Sequence, residues 1–182
     1  MVLITVGGPP GSGTTTVSRE LRRRTGLDHI YAGELFRKKA EELGVSLSRF
    51  SGMCEKDRKW DLELDREMLK IARAGDAIIE GRMSGPLCKR EDITSFRVYI
   101  DAELETRAKR VMERDGGSLE GVMRDMRERE GSEAKRYLDY YGMDPRDRSH
   151  YHLVVDSTHM TVDEIANLIM NELERWKGSI EV

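Results

Sequence analysis

The chain has 182 residues, of which 38% are hydrophobic and 36% are charged, and its formal net charge is −3. This length and composition predict one domain spanning residues 1–182, with an α/β core. The balanced charge argues against nucleic acid polymers or an anionic membrane as partners. No apolar run approaches the ~20 residues that span a bilayer, and no charged segment precedes the first hydrophobic stretch, so we expect a cytoplasmic protein. The two cysteines, Cys54 and Cys88, lack metal-site spacing and are expected to be reduced.

Short β-branched runs alternate with longer charged segments of helical periodicity, which predicts a parallel sheet flanked by helices. The first three predicted helices end at Gly26, Gly44 and Gly75. Thr161 and Glu164 form a capping box at the start of the last helix. The strands are predicted at residues 2–6, 29–31, 77–80, 97–100 and 152–155.

Two segments fit this core poorly and are interpreted as mobile accessories. The first covers residues 45–60, and the second is a basic stretch at residues 107–136 that contains seven arginines. Some of these arginines are expected to face phosphate. The alternative is an exposed helix pair with ion pairs four residues apart, such as Asp125–Arg129. The glycines of residues 115–118 predict a hinge between the two helical arms.

The stretch GGPPGSGTTT follows the first strand and has the spacing of a phosphate-binding loop. Gly8, Gly13 and Thr15 stand at the expected offsets, but Thr14 replaces the usual lysine. The unpaired N–H groups of the following helix would face an anion in this loop. Thr15 could coordinate a Mg²⁺ that accompanies a triphosphate, and Ser12 could donate one more hydrogen bond. The alternative is a glycine-rich turn without a ligand.

Charged residues follow two more of the predicted strands. Arg37 lies in the helix after the second strand, while Glu80 and Arg82 follow the third. The carboxyl ends of parallel strands meet in one crevice, so the two arginines could clamp a second phosphate there. Glu80 could hold Mg²⁺ through water. Taken singly, each arginine would more often be a solvated surface residue.

The sequence resembles the nucleoside monophosphate kinases, most closely the cytidylate kinases of the archaeal type. The motifs GGPPGSGTTTVSREL, YAGELFRKKAEELG, AIIEGRMSG, RERE with SEAKRY, and HLVVDST occur in the family's order over nearly the whole chain. The resemblance implies a P-loop three-layer α/β fold with a five-stranded parallel sheet. It also implies a mobile monophosphate-binding segment at about residues 32–75 and an arginine-rich lid at about residues 107–136.

The implied reaction is transfer of the γ-phosphoryl group of ATP to CMP or dCMP with Mg²⁺, by an enzyme expected to be a monomer. Thr15 and Glu80 are the metal candidates, and Arg110, Arg127 and Arg129 are the lid arginines. The ATP-binding candidates are Gly8, Pro9, Pro10, Gly11, Ser12, Gly13, Thr14, Thr15 and Thr16. The acceptor-binding candidates are Gly33, Arg37, Asp61, Asp65, Gly81 and Arg82.

Because Thr14 carries no charge, we expect a lid cation to neutralise the β- and γ-phosphates. Arg127 or Arg129 is the first candidate, with Arg110 or Lys135 as alternates.

The base pocket needs a carboxylate or hydroxyl acceptor beside a guanidinium or amide donor. The sequence offers several candidates for these roles and for base stacking, and it does not rank CMP, dCMP and UMP as acceptors. The alternatives to a cytidylate kinase are an adenylate or shikimate kinase, a GTPase-like switch without its N-K-x-D motif, and a non-catalytic nucleotide-binding module. The base-reading candidates are Asp61, Asp65, Ser51 and Arg90, with Tyr31 or Phe50 for stacking.

Overall fold

A computed structural model describes residues 2–180, except for the side chains of Leu47, Ser48 and Ser51. The candidate Ser51 therefore lies outside the described side chains. The strands are β1 (Leu3–Gly7), β2 (Asp28–Tyr31), β3 (Ala77–Glu80), β4 (Phe96–Asp101) and β5 (Leu153–Asp156). The helices are α1 (Thr14–Thr25), α2 (Ala32–Glu42), α3 (Leu47–Lys56), α4 (Lys59–Ala74), α5 (Ser84–Arg90), α6 (Leu104–Asp115), α7 (Leu119–Tyr141) and α8 (Val162–Ile180).

The five strands form one parallel sheet in the order β2-β3-β1-β4-β5, which confirms the predicted sheet. The central strand β1 is buried along its whole length. In the register of the sheet, Glu80 at the end of β3 lies between Val6 of β1 and Tyr31 of β2. The carboxyl ends of these three strands therefore meet at one edge, where the loop after β1 begins.

Alternate side chains of the strands pack into two separate hydrophobic cores, one on each face of the sheet. Ile4 and Ile78 pack with α1 and α8, whereas Leu3 and Ile79 pack with α4 and α5. The last helix begins with the predicted capping box, in which the Glu164 N–H donates to Thr161 Oγ1 over 3.3 Å. The fold is thus the expected three-layer α/β arrangement. No helix within residues 2–180 is long and apolar enough to cross a bilayer.

The segment at residues 45–60 has a small core of its own, separate from the sheet. Phe50 and Cys54 are fully buried there, and the Phe50 ring lies 4.6 Å from the ring of Phe36 and 5.8 Å from that of Trp60. The suggestion that Phe50 stacks on a base is therefore wrong, because its ring is enclosed by α2 and α4. Helix α3 belongs to this core and not to an irregular loop.

Helices α6 and α7 form a helical hairpin whose turn contains Gly116 and Gly117, with φ angles of 84° and 99°. The Asp125–Arg129 ion pair, which the alternative interpretation gave as its example, does not form. Arg129 instead donates to Glu133 over 2.8 Å, one turn further along α7. The carboxyl-terminal half of α7 reaches the other accessory segment, where the Tyr140 hydroxyl donates to the Cys54 carbonyl over 3.1 Å. Helix α7 thus links residues 107–136 to residues 32–75.

Candidate functional site

The loop after β1 contains two glycines at positions where any side chain would collide with the backbone of a neighbouring segment. A Cβ on Gly8 would lie 2.2 Å from the Ile100 carbonyl oxygen, and a Cβ on Gly11 would lie 2.5 Å from that of Arg107. Gly13 caps α1 in the left-handed region with φ 95°, and no side chain caps the helix. The first N–H groups of α1 are therefore left for another acceptor, as in anion sites at helix amino termini.

Ser12 leaves a hydroxyl inside this loop. The residue is 1% exposed, and its Oγ has no hydrogen-bond partner among the described residues. It lies 2.7 Å from where a Cβ on Gly8 would stand, so it points into the bend of the loop. The Ser157 hydroxyl holds the Ser12 carbonyl over 2.8 Å. A buried donor without a partner fits a loop that encloses phosphate oxygens.

The two threonines at the start of α1 converge on one carboxylate. The hydroxyls of Thr14 and Thr15 donate to Glu80 Oε1 over 2.9 and 2.6 Å. Glu80 is 3% exposed, and its Oε2 lies 3.0 Å from His29 Nε2. A hydroxyl and a carboxylate beside a phosphate loop are the oxygen donors that suit a hard cation. Sequence reasoning missed His29, because the register of the edge strand β2 is what brings it to Glu80.

Arg82 lies at the mouth of the loop. Its Nη1 is 3.4 Å from the Gly8 carbonyl oxygen, and its Nε forms a 2.5 Å ion pair with Glu133 of α7. Arg37, by contrast, is exposed, and its guanidinium lies 5.3 Å from the centre of the Tyr31 ring. The structure therefore places Arg82 against the phosphate loop and Arg37 over the Tyr31 ring.

Close packing also explains two of the glycines on the acceptor side. A Cβ on Gly81 would lie 2.9 Å from Ala32 Cβ, and one on Gly33 would lie 2.6 Å from the Tyr31 ring. Gly81 lets the chain after β3 approach the start of α2, and Gly33 leaves room for the Tyr31 ring. Tyr31 thus covers Gly33 and carries Arg37 on its ring.

A cavity of about 230 Å³ lies between the loop, the end of β4 and α7. Its arginines include Arg146 and Arg148, which follow the predicted lid and which sequence reasoning missed. Each crevice arginine has a carboxylate partner, so the walls carry charge of both signs. The pairs are Arg82–Glu133 at 2.5 Å, Arg107–Glu130 at 2.5 Å, Arg146–Asp144 at 2.7 Å and Arg148–Asp101 at 3.7 Å.

Arg107 and Arg110 support the loop from behind. Arg107 is 6% exposed, and it donates to the carbonyls of Ala102 and Pro10 over 2.9 and 3.2 Å. Arg110 donates to the Ser157 carbonyl over 2.8 Å and lies 3.4 Å from the Gly11 carbonyl oxygen. These guanidiniums hold the loop in place through its carbonyls.

The predicted lid cations of α7 are exposed in this conformation. Arg127 and Lys135 are exposed, and Arg129 is exposed over 64% of its side chain while it pairs with Glu133. None of the three lines the cavity between the loop and α7. Arg129 shares the Glu133 carboxylate with Arg82 and so lies near the crevice, and the role of all three cations toward a phosphate stays a prediction.

The two acidic candidates of α4 face α7. Asp61 Oδ2 lies 3.7 Å from Arg136 Nε, and Asp65 accepts a hydrogen bond from the Tyr141 hydroxyl. Burial raises the pKa of Asp65 to about 6, although the bond from Tyr141 acts in the opposite direction. Burial also raises the pKa of Asp61, against the field of Arg136. Arg90 lies 5.6 Å from the centre of the Tyr141 ring and so borders the same region.

Solved structures share this architecture at low sequence identity. An uncharacterized protein from Eubacterium ventriosum is 18% identical, with a TM-score of 0.75 over 96% of this chain and 99% of its own. A gluconokinase from Sinorhizobium meliloti is 17% identical, with a TM-score of 0.63 over 99% of this chain and 95% of its own. At these identities the likeness establishes the P-loop kinase fold and no substrate.

Sequence relatives are much closer. A cytidylate kinase of Methanopyrus kandleri is 43% identical over 92% of this chain and 91% of its own length. A cytidylate kinase of Thermococcus kodakarensis is 39% identical over 98% of this chain and 91% of its own length. The sequence model of the cytidylate kinase-like family matches residues 3–159, which contain the phosphate loop, Glu80, Arg82 and the whole α6–α7 hairpin. With its loop, fold and sequence all in agreement, the chain belongs to the cytidylate kinase-like family.

Proposed function

We propose that the protein transfers the γ-phosphoryl group of ATP to CMP or dCMP, giving ADP and CDP or dCDP. The observation that carries this proposal is the approach of Arg82 to the phosphate loop, with Nη1 3.4 Å from the Gly8 carbonyl oxygen. A phosphate in the loop and a phosphate on Arg82 would face each other across the crevice. Phosphoryl transfer asks for this alignment and for charge stabilisation, without a side-chain nucleophile. The names of the relatives at 39–43% identity support CMP as the acceptor.

The donor side consists of the loop residues 8–16, whose N–H groups would hold the phosphates of ATP. Thr15 and Glu80 would hold the Mg²⁺ of the nucleotide, Glu80 through water, and the ion when bound neutralises charge on the phosphates. His29 would keep the Glu80 carboxylate oriented through its 3.0 Å contact with Oε2. Thr14 adds a hydroxyl to the same carboxylate and no charge to the phosphates.

The acceptor side consists of Gly33, Arg37, Gly81 and Arg82 with the two acidic residues of α4. Guanidinium groups match phosphate geometry and stay charged, so Arg37 and Arg82 would bind the acceptor phosphate. In this conformation Arg37 lies over the Tyr31 ring, and we expect closure of the segment at residues 32–75 to bring it to the phosphate.

The lid would supply the charge that Thr14 lacks. Closure of residues 107–136 would bring Arg127 or Arg129 to the phosphates, while Arg110 would hold the loop through the Gly11 carbonyl. Closure would also exclude water and so favour transfer over hydrolysis. The monomeric state and the cytoplasmic location stay predictions.

An acceptor screen tests the proposal. Purified protein with ATP and Mg²⁺ would be offered CMP, dCMP, UMP, AMP, GMP and shikimate, and formation of ADP and of the phosphorylated acceptor would be measured. We expect the highest kcat/KM for CMP or dCMP. A higher kcat/KM for AMP, GMP or shikimate would refute the assignment. The Arg82→Ala variant is the control, since it should lose transfer while it keeps ATP binding.

A further inference from the structure

Asp61 of α4 and Arg136 of α7 form a pair that the fold leaves incomplete. Asp61 Oδ2 and Arg136 Nε lie 3.7 Å apart, beyond hydrogen-bond distance. Both atoms are buried, and neither has a hydrogen-bond partner among the described residues. Buried polar groups almost always have partners, so two that face each other without one require an explanation. Each could bind a further group once α4 and α7 separate, because both atoms are enclosed in this conformation.

Asp65, one turn away on α4, differs from Asp61 in this respect. It accepts a hydrogen bond from the Tyr141 hydroxyl, so a protein group already uses one of its oxygens. The guanidinium of Arg136 lies 5.4 Å from the centre of the neighbouring Tyr137 ring, which limits the directions it can take. The sequence alone made the two carboxylates equal candidates for base recognition. The structure favours Asp61, because its acceptor is free and a fixed donor lies beside it.

The pair also lies at a suitable place along α7. Glu133 on this helix contacts Arg82, the arginine beside the phosphate loop. Arg136 follows three residues later, on the same face and about 4.5 Å further along the axis. A nucleotide whose phosphate binds Arg82 would therefore extend its base along α7 toward Arg136 and Asp61.

We propose that Asp61 and Arg136 read the Watson–Crick edge of the acceptor's cytosine. The Asp61 carboxylate would accept from the N4 amino group, and the Arg136 guanidinium would donate to N3 and O2. Uracil presents an oxygen in place of the amino group and an N–H in place of the bare N3. The Asp61 carboxylate would then face a second acceptor, and the Arg136 guanidinium would face a second donor. The pair therefore favours CMP and dCMP over UMP. This inference rests on the proposed cytidylate kinase function and assigns its base selectivity.

The test replaces the carboxylate at position 61, which accepts the hydrogen bond from the base, with an amide. An asparagine there can present either its carbonyl or its amide, so Asp61→Asn should lower the ratio of kcat/KM for CMP to that for UMP by roughly 10- to 100-fold. Arg136→Lys keeps the charge but loses the planar pair of donors, and it should weaken CMP more than UMP. The dissociation constants of CMP and UMP without ATP, measured by calorimetry, should change in the same direction. Matched controls are Asp139→Asn on α7 and Arg66→Lys on α4, both exposed, and their ratios should stay within about twofold of wild type.

The possible outcomes separate this inference from the proposed function. An unchanged CMP-to-UMP ratio in Asp61→Asn, with CMP still phosphorylated, would overturn base reading and leave the kinase assignment standing. Equal losses with CMP and UMP in both variants would also overturn it, because they would place the pair at the phosphate or in the scaffold. If the Asp61→Asn chain fails to fold by circular dichroism, Arg136→Lys decides. If wild type phosphorylates no acceptor, the proposed function fails, and the ratio of the two dissociation constants still tests the pair.

Discussion

The Glu133 carboxylate forms an ion pair with the Arg82 guanidinium, which the acceptor phosphate would need to bind. Its Oε2 lies 2.5 Å from Arg82 Nε, and the two side chains are 15% and 21% exposed. A phosphate that binds Arg82 must take the place of this carboxylate. We therefore expect the variant Glu133→Gln to bind CMP more tightly than wild type does.

The size of the effect follows from what glutamine retains. Its amide has nearly the same shape and one acceptor oxygen, so the change removes the charge but not the hydrogen bond. Because Arg82 stays charged, the loss is the Coulombic attraction of a partly buried ion pair, which lies between the ~1 kcal/mol of exposed pairs and the ~1.5 kcal/mol of desolvated ones, so about 1–1.5 kcal/mol. This corresponds to a dissociation constant for CMP about 5- to 12-fold lower than in wild type. Because salt screens the competing charge, the gain should shrink as ionic strength rises.

Isothermal titration calorimetry with CMP at low and high salt measures this gain. Glu128→Gln is the matched control, because Glu128 is exposed on the same helix. Its affinity for CMP should equal that of wild type. Competition by Glu133 would be refuted if Glu133→Gln bound CMP with unchanged or lower affinity, or if the control gained as much.

Three further changes test other parts of the site. Alanine at Arg37 or at Arg82 should lower kcat/KM by roughly 30-fold or more, since each would lose a charged partner of phosphate, and near-wild-type values in both would exclude the clamp. Alanine at Arg127 or Arg129 should lower kcat by roughly 10³-fold with ATP affinity changed much less, and a loss below tenfold at every lid cation would exclude compensation for the missing lysine. Burial raises the pKa of Asp65 from 3.8 to about 6, so the stability linked to its protonation is complete below pH 3.8 and is lost as the pH rises through 6. Asp65→Asn should thus increase the free energy of unfolding in urea by about 1–3 kcal/mol near pH 8 and by almost nothing below pH 4, and an equal effect at both pH values would contradict this linkage.

Local patterns in the sequence determined the sheet and the phosphate loop. Strands and helices follow from runs of neighbouring residues, and the loop follows from glycines whose spacing the backbone requires, as the close approach of Gly8 to the Ile100 carbonyl shows. The place of Arg82 was also predictable, because a residue just after β3 must lie at the carboxyl edge of a parallel sheet. Each of these features is set by a small number of residues that are neighbours in the sequence.

The pairing of side chains across the site depended on tertiary structure. His29 meets Glu80 from 51 positions away, and Tyr141 meets Asp65 from 76 positions away. Such contacts depend on strand register and on how far α7 is rotated about its axis, and helical periodicity in one segment determines neither. The same rotation turns Glu133 toward the loop and leaves Arg127 in solvent, although the two residues lie on one helix. Which charges of α7 face the crevice is therefore a property of packing between helices, and no local pattern records it.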